Sequence, residues 1–259
     1  MNILKEIIAH KKDEVETQRL LVPVNSLKQS VLYKRETISL YNFLMDETKT
    51  GIIAEFKRRS PSKGIINNTA MVADVTKAYT ENGASALSVL TDEHFFGGNN
   101  ADLIAARENH IPILRKDFIV DEYQITEAKS IGADVILLIA ACLTPERLRE
   151  LAIFAQQLGL EVLLEIHVEA ELEHICDEIK IVGINNRDLK TFAVDINRSV
   201  ALSRKIPVDR IKVAESGISN VETIDILKQT GFKGFLMGEN FMRTNDPGFA
   251  FKQFVQQLK

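Results

Sequence analysis

The chain has 259 residues, of which 45% are hydrophobic and 26% charged, and a formal net charge of −4. These proportions exclude a disordered chain, a collagen and a disulfide-stapled mini-protein. The mild acidic balance argues against a nucleic-acid or membrane-surface binder, which needs a basic excess, but it leaves room for a small anionic ligand.

The first stretch reads as helical. Ile3, Leu4, Ile7, Ile8 and Val15 fall on one helix face, and Asn25 or Ser26 is expected to cap a second short helix. The charges from Lys5 to Glu14 deny this stretch the apolar core of a signal peptide. Residues 1–48 are therefore expected to form a helical extension that ends before Gly51, the first glycine.

After Gly51 the texture changes. Short apolar runs recur at Gly51–Phe56, Ala86–Leu90, Pro112–Leu114, Val135–Ile139, Glu161–Glu165, Ile181–Ile184, Ile211–Val213 and Gly234–Met237. Between them lie stripes of helical spacing, such as Val72, Val75, Ala78 and Tyr79, then Leu148, Leu151, Ala152 and Ala155, then Val221, Ile224 and Leu227. Gly83, Gly132, Gly159 and Gly231 follow helical stretches, as C-terminal caps do. A strand–helix rhythm of about 25 residues marks a parallel α/β protein. There is no G-x-G-x-x-G after the first run and no phosphate-binding G-x-x-x-x-G-K-[ST]. About eight units in this length fit a (β/α)8 TIM barrel, expected as a single domain over residues 1–259. The longest apolar run, Val135–Leu143, falls far short of the roughly 20 residues of a membrane span. Two widely separated cysteines, Cys142 and Cys176, form neither a disulfide framework nor a zinc spacing. Free thiols in a cytoplasmic protein are expected.

In such a barrel the active site lies at the carboxyl ends of the strands. Those ends carry Glu55 and Lys57, Thr91-Asp92, Arg115-Lys116-Asp117, Glu165-Ile166-His167, Asn185-Asn186-Arg187-Asp188, Glu215-Ser216-Gly217 and Gly238-Glu239-Asn240. Alternation puts Glu55 and Lys57 on one side with Ala54 and Phe56 facing the helices, and it sets Lys116 opposite Arg115. A Lys116 ammonium among carboxylates stays protonated and can give a proton to a developing oxyanion. Glu165 can exchange a proton beside it, whereas His167 reads as a structural loop residue. Phosphate is expected on the turns after the seventh and eighth strands, at Ser216, Gly217, Gly238 and Glu239. The loop from Lys57 to Gly64 carries four cations and Ser60, and reads as a mobile anion-contacting loop. No histidine spacing suits a metal, and no aromatic platform suits nucleic acid.

These segments also resemble a known family. The strings Ala54-Glu55-Phe56-Lys57-Arg58-Arg59-Ser60-Pro61-Ser62-Lys63-Gly64, Leu87 to Asp92 with Phe95-Phe96-Gly97-Gly98, Leu114 to Phe118, Gly183 to Leu189 and Ala214 to Ile218 are similar to those of indole-3-glycerol phosphate synthases, in order and over essentially the whole chain. Phe56 and Arg58-Arg59 stand where that family often has Ile and a Lys/Ala-type pair, and Glu239 where some members have Ser. The resemblance implies a decarboxylating and dehydrating ring closure of 1-(2-carboxyphenylamino)-1-deoxyribulose 5-phosphate in tryptophan biosynthesis, without metal or cofactor. It implies Lys116 as the proton donor in ring closure. Glu165 is the candidate base in water loss, and Glu55 or Lys57 the acid. Ser60, Asn185, Arg187 and Glu215 would bind substrate, and Phe95, Phe118 and the extension would wall its ring. The partner is then a small phosphorylated substrate, with neither nucleic acid nor membrane required and a monomer sufficient. A phosphosugar isomerase on the same barrel would need a cysteine where Glu55-Phe56-Lys57 stands. A non-catalytic phosphate binder would not need Lys116 and Glu165.

Overall fold

The computed structural model describes residues 3–188 and 193–258. Leu189, the last residue of one motif quoted above, lies outside the described residues. Helices α1 (Ile3–Leu21), α2 (Val24–Leu27) and α3 (Leu40–Met45) precede the first strand. The strands are β1 (Ile52–Phe56), β2 (Ala86–Leu90), β3 (Ile113–Lys116), β4 (Val135–Ile139), β5 (Glu161–Ile166), β6 (Ile181–Asn185), β7 (Ile211–Glu215) and β8 (Phe232–Met237). They pair in parallel around a closed barrel in the order β1-β8-β7-β6-β5-β4-β3-β2. The closure is made by β1, with Ile52 opposite Phe235 of β8 and Ile53 opposite Ala86 of β2.

Each strand is apolar on both faces because both are covered. Ile53, Leu114, Leu137, Leu163, Val213 and Leu236 fill the barrel interior. Ile52, Ala54 and Phe56 point the other way and pack with Val72, Val75 and Tyr79 of α4 (Val72–Glu81). The remaining outer helices are α5 (Asn100–Ala106), α6 (Glu122–Ser130), α7 (Pro145–Gln157), α8 (Ile196–Ser203), α9 (Val221–Gln229), α10 (Glu239–Met242) and α11 (Pro247–Gln257). Gly83, Gly132, Gly159 and Gly231 all have positive φ after their helices, as expected of C-terminal caps.

Three local expectations are corrected. Asn25 and Ser26 lie inside α2, whose N-cap is Pro23 with no side-chain cap; Ser30 and Ser39 cap the following turns instead. No α-helix joins β5 to β6, only a 3-10 turn, Glu169–His174. There Glu171 folds back to accept the backbone N–H groups of His167 (2.5 Å) and Val168 (3.2 Å), which tightens the turn. The loop after β1 contains a two-stranded antiparallel hairpin, Arg59–Ser60 with Gly64–Ile65.

The extension touches both ends of the barrel. Leu40 and Leu44 of α3 are buried with the interior residues at the amino-terminal end. The segment leading to α3 is stitched to that rim, where Arg35 pairs with Asp134 (2.5 Å), Ser39 donates to Glu161 (2.5 Å) and Thr37 donates to the Gly159 carbonyl (2.6 Å). Helix α1 lies at the opposite end, where Lys11 is fully buried and its ammonium is 3.0 Å from each of Asp92, Asp117 and Glu14.

Candidate active site

A cavity of 470 Å³ opens at the carboxyl ends of the strands. Glu55, Lys57, Ser60, Lys116, Glu165, Asn185, Arg187, Glu215, Ser216, Gly217, Gly238 and Glu239 all line it. The structure thus brings these twelve sequence-predicted residues to one opening.

Strand alternation explains who points inward. Arg115 turns outward to Glu127 (2.6 Å), the Gln124 carbonyl (2.8 Å) and Thr91 (3.0 Å). Its neighbour Lys116 therefore points into the barrel mouth. Lys116 Nζ lies 3.5 Å from Glu165 Oε2 and 4.0 Å from Glu215 Oε2. Across the mouth, Lys57 Nζ pairs with Glu55 Oε1 at 2.5 Å.

These charges set one another. Burial works against the Lys116 ammonium, but Glu165, Glu215 and Glu55 outweigh it and hold the amine above the ordinary lysine value. Burial also opposes the Glu165 carboxylate, yet Lys116 and His167 overcome this and hold Glu165 below the usual carboxylate range. Glu215 goes the other way: burial and the Glu165 charge push it well above that range. The environment thus favours an ammonium on Lys116, a carboxylate on Glu165 and the protonated form of Glu215. The trio can supply a proton donor, a base and a neutral hydrogen-bonding acid.

Room for these groups is made by glycine. A Cβ on Gly183 of β6 would stand 2.1 Å from Glu215 Oε1, and one on Gly238 would meet Glu55 at 2.7 Å. Ser216 and Gly217 both have positive φ (67° and 73°), a sharp turn that Asn186 secures by donating to the Ser216 carbonyl (2.9 Å). Its strain at Ser216 aims the backbone of this loop at the cavity. The Glu239 carboxylate is 3.3 Å from Arg187 and is also bonded to Arg243.

Some expectations shift. Of the four cations in the first loop, only Lys57 and Lys63 line the cavity. Arg58 grips Asp102 and Arg59 the carbonyls of Glu93 and His94, because these acceptors lie under the loop. Phe96 and Phe118 line the cavity along with Ile3, Leu4 and Ile7 of α1. Phe95 does not; it packs on His10 and His94, at 5.6 and 4.6 Å between ring centres. Asp92 is spent on Lys11 and on the backbone N–H groups of Phe95 and Phe96. Sequence reasoning missed Arg243 and Lys11. Arg243 carried no strand-end signal, and Lys11 sits in a stretch already rich in lysine. It also read His167 as a structural or loop residue; the residue follows β5, and its ring lies against Glu165.

Comparison with known proteins bears on this geometry. Residues 4–254 match the family model for indole-3-glycerol phosphate synthase. A protein of that name from Bacteroides thetaiotaomicron is 47% identical over 100% of this chain and 99% of its own length. The chain belongs to the indole-3-glycerol phosphate synthase family. A second member, from Polaromonas sp., is 42% identical over 97% of each chain. Among solved structures, tryptophan synthase subunit alpha from Legionella pneumophila superposes with a TM-score of 0.62 at 13% identity, covering 85% of this chain and 96% of that one. The tryptophan synthase complex of Pyrococcus furiosus gives 0.59 at 15% identity, over 80% and 97%. Both likenesses concern the barrel fold that indole-3-glycerol phosphate synthases share with them. Among the described residues, no helix is long and apolar enough to cross a membrane.

Proposed function

We propose that this chain converts 1-(2-carboxyphenylamino)-1-deoxyribulose 5-phosphate into indole-3-glycerol phosphate, carbon dioxide and water, a step of tryptophan biosynthesis. The ring carbon bearing the carboxylate attacks the ketone carbon, and the Lys116 ammonium gives its proton to the ketone oxygen. Loss of carbon dioxide returns the bonding pair to the ring. Water then leaves: Glu165 takes the proton from the adjoining carbon, and the Glu55–Lys57 pair supplies the acid to the departing hydroxyl. Asn185, Arg187, Ser60 and the neutral Glu215 hold the sugar and the anthranilate. Ser216, Gly217, Gly238 and Glu239 seat the phosphate through the backbone, with Arg187 and Arg243 beside it. Phe96, Phe118 and α1 wall the aromatic ring. The whole chain acts as one unit in the cytoplasm, and a monomer suffices.

The observation that carries this reading is the convergence of an ammonium, a carboxylate and the strained Ser216–Gly217 turn on one cavity. The test is to add the anilino-deoxyribulose phosphate and follow indole fluorescence. Turnover is expected, and Lys116→Ala should lower it by about 10²-fold or more. No product at generous enzyme levels would favour a phosphate-binding module instead.

A further inference from the structure

Glu165 is held from two sides. Its Oε2 faces Lys116 at 3.5 Å, while its Oε1 lies 3.3 Å from Nε2 of His167. The proposed chemistry uses the first contact and leaves the second unexplained. His167 stands two residues beyond Glu165, so alternation brings both to the same side. The imidazole is only 4% exposed, and among the described residues its ring nitrogens lie at ion-pair distance from two carboxylates without a hydrogen bond to either. The second is Glu171, whose Oε2 is 3.7 Å from Nδ1. Glu171 is itself anchored, because it accepts the backbone N–H groups of His167 and Val168. A buried imidazole between two carboxylates is favoured as the imidazolium, provided their charges outweigh its desolvation.

The groups around the ring point the same way. Burial disfavours its charge, Glu171 and Glu165 favour it, and Lys116 from β3 opposes it; the balance lies above the ordinary histidine value. Cys142, from the turn after β4, faces the same carboxylates but is held as a neutral thiol by burial and by Glu165 and Glu171. Glu215 of β7 shares Lys116 with Glu165 and is pushed toward its neutral form by burial and by Glu165.

We propose that His167 is a positioning residue: a Glu171–His167–Glu165 chain fixes the Glu165 carboxylate and keeps it ionised while Lys116 is engaged with the substrate. The inference rests on the ring-closure reading, which makes Lys116 give up its proton. As an amine, Lys116 no longer holds Glu165 as an anion. Glu165 would then be a buried carboxylate beside Glu215, a setting that favours protonation. The His167 cation remains and keeps Glu165 competent as the base for water loss.

Two measurements test this. In His167→Gln, kcat should fall about tenfold or more with KM changed by no more than about threefold. The acid limb of the kcat–pH profile should move up by about one unit, because removing a neighbouring cation raises the Glu165 pKa. Independently of turnover, the His167 ring is followed by nitrogen-15 NMR against pH. Its titration midpoint should drop by about one unit in Glu165→Gln and also fall in Glu171→Gln. A His167→Gln profile that overlays the parent overturns the proposal, and so does a midpoint indifferent to Glu165→Gln. Should His167→Gln not fold, the titration decides alone. A parent protein that fails to turn over the substrate refutes ring closure, while the titration still reports on the coupling.

Discussion

At the scale of single residues, the site works by driving neighbouring groups to different charge states. Glu165 and Glu215 have the same side chain and touch the same lysine, but Glu165 is pushed toward the anion and Glu215 toward the acid. Their amide variants should therefore behave differently. Glu215→Gln imitates the neutral form that its surroundings favour and is expected to lose less than about tenfold in kcat/KM. Glu165→Gln removes the base and is expected to lose about 10²-fold or more. Steady-state kinetics of the pair checks the assignment, and equal losses would reverse it. Alternation along a strand made Glu55, Lys57, Lys116 and Glu165 legible in the sequence, because the side a residue faces follows from counting by two. Nothing in local spacing reveals that Lys11 meets Asp92 and Asp117. Those pairs depend on how separate elements dock.

At the scale of elements, barrel strands and long helices were legible because both have apolar periods. The stripes of α4, α7 and α9 bury most of the residues anticipated, including Val75, Leu151 and Ile224, while Ala78 and Val221 are half-buried. Short elements were not legible. The cap of α2 and the 3-10 turn after β5 are each decided by a few contacts rather than by a period. The same holds for α10, where Arg243 closes on Glu239 and sits on the cavity wall. Arg243→Ala should raise KM for the phosphorylated substrate by about tenfold, the worth of one charge-assisted hydrogen bond. The kcat should stay within a factor of about two, since Arg243 lies apart from the reacting carbons in the proposed pose. A KM unchanged from the parent would remove Arg243 from the phosphate seat.

At the scale of the whole molecule, Lys11 ties the extension to the catalytic face. Replacing it with Met would leave Asp92 and Asp117 buried without their cation, and a loss of about 3–5 kcal/mol is expected. Urea unfolding reads it as a lower midpoint with the slope unchanged. The cluster also predicts acid sensitivity. Burial opposes the Asp117 charge, but Lys11 and Arg115 hold its pKa at about 2, against 3.8 ordinarily. A depressed folded pKa stabilises above the unfolded value, and the gain is lost as pH falls from near 4 through 2. The group contributes about 2 kcal/mol over that window. Urea midpoints measured stepwise across it should fall more steeply for the parent than for Asp117→Asn.

The placement of the extension bears on biosynthesis. It leaves the ribosome ahead of the barrel, yet its anchoring partners come much later: Asp92 and Asp117 for Lys11, then Asp134 and Glu161 for the segment before α3. Until the later strands and α6 have been translated, Leu40 and Leu44 lack most of the interior residues that bury them, and Val15 lacks Tyr123. The nascent chain thus carries a sticky leader through half of its synthesis, the interval in which chaperones guard such surfaces.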